Sequence, residues 1–409
     1  MNLNRFLLFG LILFCVFVSG LKAESPKRET LILISFDGFR WDYTGRDSLD
    51  NFDKFCNEGV KAHSLQPVFP TTSYPNHLSI VTGLHPENHG IIANRFRDPF
   101  TNNCFTIRDE DAVTDPKWYQ GEAFWETAKR QGILSASCFW PGSELEADHR
   151  RPEITEEYDK DVSSSERIEK LIEWLKLPEG ERPQFISICL SETDFEGHKY
   201  GTEGDETDKA IRRSDKLLGT LIDSLQSMGI YDAVDIVIVS DQGMTDVLSD
   251  SLIIVESIIN TQDCYMQNYG SYMAISAPDS SLRSIYNALK ANRKHYNVYL
   301  KDEIPEYLHY TRHPFIAPIF VLAQPGFVFV VDSSAYKLDM LKGAHGYDHT
   351  CTDMHGIFLA RGPSFQQGYE CGTLYNIDIY PLLCELFGIK GRQHIDGKIE
   401  RIKFILKKN

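Results

Sequence analysis

Asp37, Asp194 and Asp241 each stand at or just beyond the end of a short apolar run: TLILISF, QFISICL and VDIVIVS. One aspartate in such a place is commonly a turn former. Three at one edge of a sheet repel one another strongly unless cations lie between them. His198 follows Asp194 by four residues in DFEGH, which puts both side chains on one side of a helical turn. His345 sits in the glycine-flanked loop KGAHGYD, where an imidazole is presented without backbone crowding. Carboxylates together with imidazoles suit zinc, ahead of manganese or iron.

A hydroxyl is available in the stretch PVFPTTSYPNHLSIVTGLHPENHGIIAN, residues 67–94. Its pattern predicts a loop running into a short helix. Ser73 takes the N-cap, Pro75 falls in the first turn, and Leu78, Ile80 and Val81 supply the apolar face. A helix N-terminus carries free N–H groups and the positive end of the dipole, so it suits a phosphate. A hydroxyl held there can attack phosphorus once its pKa is lowered.

These groups need a rigid frame. Thr30–Phe36, Gln184–Leu190 and Val234–Ser240 are continuous apolar runs, the mark of strands buried on both faces. Helices are predicted over Asp47–Asn57, Glu122–Gln131, Ser165–Leu175, Glu206–Met228 and Tyr375–Phe387, the last stopped by Gly388. Further strands fall near Ser271–Ile275, Val298–Leu300, Ile319–Leu322, Val328–Val331 and Gly356–Ala360. Strands alternate with helices, so the expected fold is α/β. It has a mostly parallel central sheet, helices on both faces, and an insertion at about 95–183 beside the sheet. Ligands of such sheets bind beyond the C-terminal strand ends.

The chain has 409 residues, 42% apolar and 24% charged, an ordinary globular composition. Its net charge of −16 argues against binding a nucleic-acid polymer. A small anionic substrate stays compatible with it, because a metal supplies local positive charge. Residues 1–23 read as a signal peptide, with Arg5 before the apolar stretch Phe6–Val18 and cleavage after Ala23. That leaves a secreted catalytic region at 24–409; a membrane location follows only if the N-terminal segment is retained as an anchor. Eight cysteines follow residue 23, an even number that permits disulfides in an oxidising compartment. Cys189 and Cys384 fall in apolar elements and read as core thiols.

In order along the chain stand ISFDGFR, PTTSYPNH with LSIVTGLHPENHGIIAN, FWPGS, ETDFEGHKYG, VSDQGM, and GAHGYDH with IFLARGPSF. On these motifs the chain resembles the ecto-nucleotide pyrophosphatase/phosphodiesterase family of the alkaline phosphatase superfamily, in its short, single-domain form. The resemblance implies an alkaline-phosphatase-like fold and two zinc ions. One is held by Asp194, His198 and His345, the other by Asp37, Ser73 and Asp241. It implies Ser73 as nucleophile, with neighbouring Thr72 as second choice, and a covalent phospho-serine intermediate. Asn94 matches the residue that donates to a phosphate oxygen. One departure stands out: where the family has Asp-His-Gly, this chain has Asp241-Gln242-Gly243. An amide is a weaker zinc ligand than an imidazole, so the second site is weakened.

The family builds its nucleotide pocket from aromatic residues. The matching positions are Tyr74, beside the nucleophile, Trp140 in FWPGS, and Tyr158; Tyr200 in GHKYG could line the same groove. Facing rings sandwich a flat base. The expected substrate is therefore a nucleotide phosphodiester or pyrophosphate. The alternatives are a choline-lipid phosphodiester, or a binding protein left catalytically weak by Gln242.

Overall fold

The computed structural model describes residues 30–46, 48–332 and 341–408. The signal segment expected at 1–23 and the predicted helix start at Asp47 lie outside the described residues.

Thr30–Phe36 is buried at every position and runs through the middle of the main sheet. Its alternate side chains feed two cores. Leu31 and Leu33 pack with Leu78, Ile80, Val81 and Leu382 on one face. Ile32 and Ile34 pack with Phe52, Leu171 and Leu218 on the other. That two-sided burial explains the unbroken apolar run and rules out a solvated face. The first face is covered by the helices Ser73–Thr82 and Ile379–Phe387. The second is covered by Asp50–Glu58, Ser164–Leu175 and Asp205–Ser227.

The sheet has eight strands in the order Tyr369–Cys371, Val60–Ala62, Phe358–Arg361, Val234–Val239, Thr30–Phe36, Phe185–Leu190, Ser135–Cys138, Ile154–Glu156. Seven run in one direction; Phe358–Arg361 is antiparallel to both neighbours. The register pairs Phe36 with Leu190 and Ser35 with Val239. The three central strands therefore end level, and the segments carrying Asp37, Asp194 and Asp241 leave the same edge.

Two expectations are corrected. Residues 95–183 are not wholly an insertion beside the sheet, because Ser135–Cys138 and Ile154–Glu156 extend its edge. The strands expected near 271–275, 298–300 and 319–322 do not join it. Tyr265–Asn268, Tyr272–Ser276, Ile319–Ala323 and Tyr296–Leu300 form a separate four-stranded antiparallel sheet. Only Tyr269, Gly270 and Ser271 separate its first two strands, too few for the crossover that a parallel pair needs. The even cysteine count builds no disulfide among the described residues: all eight thiols are free, with Cys138, Cys189 and Cys384 buried.

Candidate active site

The helix opens one residue earlier than the sequence implied. Thr72 is the N-cap, in extended conformation with φ −129° and ψ 155°, and Ser73 is the first helical residue. Thr72 is buried, whereas Ser73 is half-buried. The Ser73 hydroxyl donates to Asp37 Oδ1 at 3.3 Å. Beside it, the backbone N–H of Tyr74 donates to Asn94 Oδ1 at 3.1 Å. That bond uses the oxygen of the Asn94 amide and leaves its NH2 group for the cleft.

Asp37 ends the central strand, and Gly38 turns the chain away with φ +68°. A Cβ on Gly38 would lie 2.7 Å from Asp194 Cα, so a bare α-carbon is what lets the two aspartates come together. The Gly38 N–H donates to Asp241 Oδ1 at 3.2 Å. Gln242 enters this group from the neighbouring strand. Its Nε2 donates to Asp37 Oδ1 at 3.1 Å, to Ser73 Oγ at 3.3 Å, and more distantly to Asp194 Oδ1 at 3.5 Å.

Asp194 and His198 share a face of the helix Glu192–Tyr200, and His345 comes from the loop after Gly343. Their ligand atoms all lie within 4.8 Å of one another. His198 Nδ1 is 2.8 Å from Gly343 O, and His345 Nδ1 is 2.7 Å from Thr71 O. A carbonyl only accepts, so both Nδ1 atoms carry the proton and both Nε2 atoms present lone pairs. Those two Nε2 atoms face each other at 3.1 Å, 3.6 and 3.5 Å from Asp194 Oδ1. Lone pairs held that close are at ease only around a positive charge. The two carbonyl anchors are the outer-shell partners that metal-binding imidazoles commonly have.

The electrostatics agree. Burial, then the charges of Asp241 and Asp194, holds the Asp37 carboxyl well above the usual range. Burial, followed by the Asp194 charge, pushes Asp241 up to about 8. Burial drives His345 down to about 4 against the pull of Asp194, keeping it neutral and able to ligate. His77, fully buried, is likewise held below its ordinary value by desolvation.

His77 was missed by sequence reasoning, although its i, i+4 spacing from Ser73 in SYPNH was visible. Its Nδ1 lies 2.9 Å from Ser73 O and its Nε2 2.9 Å from Ser35 Oγ, pinning the start of the Ser73 helix to the central strand. Asp37, His77 and Cys189 also offer donor atoms within 4.8 Å of one another. Both ring nitrogens of His77 are already engaged, so this group is a floor to the site and not a metal cage.

Of the four aromatic candidates, Tyr74 and Tyr158 lie near each other. Tyr74 packs edge-on against Phe105. Tyr158, 64% exposed, rests on Phe139 and lies near enough to Tyr74 to contribute to the upward shift of its hydroxyl. Glu144, also missed, accepts the Tyr158 backbone N–H and adds to that shift. Trp140 is corrected: it is 1% exposed, and its indole donates to His77 O at 3.1 Å beneath the site. It supports the floor and cannot stack on a base. Tyr200 is placed at the exposed C-terminal end of its helix, with Lys199 over its ring.

A level row of strand ends, on an alkaline-phosphatase-like fold, gathers a hydroxyl, three carboxylates and two facing imidazoles, the groups that metal-assisted phosphoryl transfer would use. The chain matches the Type I phosphodiesterase / nucleotide pyrophosphatase family over residues 31–348. It is 33% identical over 400 residues to a bis(5'-adenosyl)-triphosphatase of Xenopus laevis, covering 97% of this chain and 86% of the relative. It is 33% identical over 392 residues to human ectonucleotide pyrophosphatase/phosphodiesterase family member 5, covering 96% and 81%. The mouse family member 1 is 34% identical over 377 residues, 90% of this chain; there the match spans only 41% of the relative's length. Among solved structures, an inactive variant of murine member 5 in complex with AMP superposes with a TM-score of 0.88 at 30% identity, covering 93% of this chain and 100% of that one. The chain belongs to the ectonucleotide pyrophosphatase/phosphodiesterase family.

Proposed function

We propose that this chain hydrolyses nucleotide phosphodiester or pyrophosphate bonds outside the cell, with Ser73 as the nucleophile. The observation that carries the reading is the Ser73 hydroxyl at a helix N-terminus, 3.3 Å from Asp37 and facing the Asp194–His198–His345 group across Gln242. Two imidazole nitrogens and a carboxylate oxygen fit zinc. A zinc ion bound there would polarise a phosphoryl oxygen of the substrate.

The remaining roles belong to the protein's own atoms. Asp37 Oδ1 takes the proton as Ser73 Oγ attacks phosphorus and the leaving group departs. The intermediate is a nucleotidyl ester of Ser73, which water then releases. The Asn94 NH2 group and the backbone N–H of Ser73 donate to the phosphoryl oxygens as charge builds, since the Tyr74 N–H is held by Asn94 Oδ1 and Pro75 has none. Tyr74 and Tyr158 hold the base between them, an assignment supported by AMP bound to the murine relative. The route to the exterior is the signal segment 1–23. No helix among the described residues is long and apolar enough to cross a membrane. The test is release of nitrophenol from a nitrophenyl ester of TMP, with a phosphocholine ester alongside. Turnover of the nucleotide ester alone supports the reading; turnover of the choline ester alone transfers the site to lipids.

A further inference from the structure

The two halves of the site differ in donor chemistry. Asp194, His198 and His345 present one oxygen and two nitrogens. Around Ser73 stand Asp37, Asp241 and Gln242, which ligate through oxygen, while the nitrogens of His77 beneath them are engaged by Ser73 O and Ser35 Oγ. The resemblance to the family led to zinc in both halves, but the imidazole that would favour zinc in the second is replaced by Gln242.

Gln242 is fully buried. Its Nε2 faces oxygens of Asp37, Ser73 and Asp194. Its Oε1, and likewise Asp241 Oδ2, is buried with no hydrogen-bond partner among the described residues. A buried carbonyl oxygen left without a donor loses its solvation with nothing to replace it. Turning the amide about its last bond exchanges N and O in nearly the same volume. A cation between Asp37, Ser73 and Asp241 would draw in the one amide atom that nothing else in the fold holds. The deeper group of Asp37, His77 and Cys189 offers no competing cage, because Ser73 O and Ser35 Oγ engage the His77 ring.

We infer that Asp37, Ser73, Asp241 and Gln242 form an all-oxygen site for a hard divalent cation of the manganese or magnesium class, beside a zinc held by Asp194, His198 and His345. Oxygen donors suit manganese and magnesium, whereas imidazole is what makes a site suit zinc. The inference rests on the proposed function for the zinc at Asp194, His198 and His345, and it shares Asp37 and Ser73 with that reading. The chain therefore carries a mixed pair of ions where the resemblance implies a matched pair.

The test uses the full secreted chain, stripped with chelator, reloaded with excess zinc and dialysed. Metal analysis gives the zinc retained, and manganese is then titrated in while the signal of the free ion is followed by electron paramagnetic resonance. The wild type is expected to keep one zinc per chain and to take up one manganese. Gln242→His is expected to keep two zinc ions and to lose manganese uptake. Gln242→Glu, which preserves the oxygen and adds charge, is expected to bind manganese about tenfold or more tightly. Two zinc ions retained by the wild type, a free-ion signal unchanged by the zinc-loaded wild type, or an unaltered ion pattern in both variants would each overturn the inference. Nucleotide ester turnover is measured separately. Its absence with the mixed-ion pattern intact counts against the hydrolase reading alone.

Discussion

Asn94 is held by one atom of its amide, and the donor role proposed for it falls to the other. Tyr74 N–H fixes the amide oxygen at 3.1 Å, so the NH2 group has one direction left to point. Asn94→Ala is expected to lower kcat for a nucleotide ester by about 10²–10³-fold, as loss of one oriented donor does elsewhere. A similar fall in KM would indicate lost ground-state strain instead. Tyr158 is well exposed, so Tyr158→Ala removes a stacking ring with little risk to the fold. Its kcat/KM for nucleotide esters should drop roughly tenfold, mostly through KM, with the drop absent for an ester that carries no base. An equal drop for both esters would remove Tyr158 from the pocket. The residue types at the site were legible in the sequence because three acids at strand ends together with two imidazoles have few other uses, although one such acid alone is commonly a turn former. Trp140 misled because its motif gives position along the chain, not the side from which the ring is approached. His77 and Glu144 escaped notice because nothing in their own neighbourhood reveals that a core strand or a second loop will be folded against them.

Elements set the distances. The sheet edge is level because three neighbouring strands are in register, and apolar continuity alone made those strands readable. The separate four-stranded sheet was not readable, since a short apolar strand carries no mark of the sheet it will join. Its tight turn at Gly270, with φ +81°, was the one available sign of antiparallel pairing. Gly38 is the tightest point of the arrangement. With φ +68° and Asp194 Cα 2.7 Å from its missing Cβ, Gly38→Ala strains the turn and pushes the Asp194 helix outward. The expected loss is about 1–3 kcal/mol of stability, together with weaker zinc retention. Unfolding and metal retention unchanged from wild type would show that the two elements are not in fact braced there.

For the molecule as a whole, the buried acids tie stability to the ions. Asp241 holds its proton up to about 8, far above an ordinary aspartate. The contribution of a group with a raised pKa is complete below its unfolded value and is lost as pH rises through its folded one. His345 works the other way: held down to about 4, it costs stability as pH falls below 6.5. Above pH 6.5 the histidine contribution fades and the acids dominate the change. Chelator-stripped protein should therefore show a melting temperature that falls between pH 6.5 and about 8.5, and added divalent cations should flatten that fall. A stripped protein whose melting temperature rises with pH over that range would mean that the acid cluster is solvated in solution.

The central claim is that Ser73 makes and breaks a bond to phosphorus. It is tested most directly by exposing wild type and Ser73→Ala to a nitrophenyl ester of TMP, quenching in acid and weighing the peptide that spans residues 67–94. The account predicts a thymidylyl adduct on Ser73 in the wild type and, in Ser73→Ala, neither adduct nor steady turnover. Undiminished turnover by Ser73→Ala, or an adduct on Thr72, would contradict it.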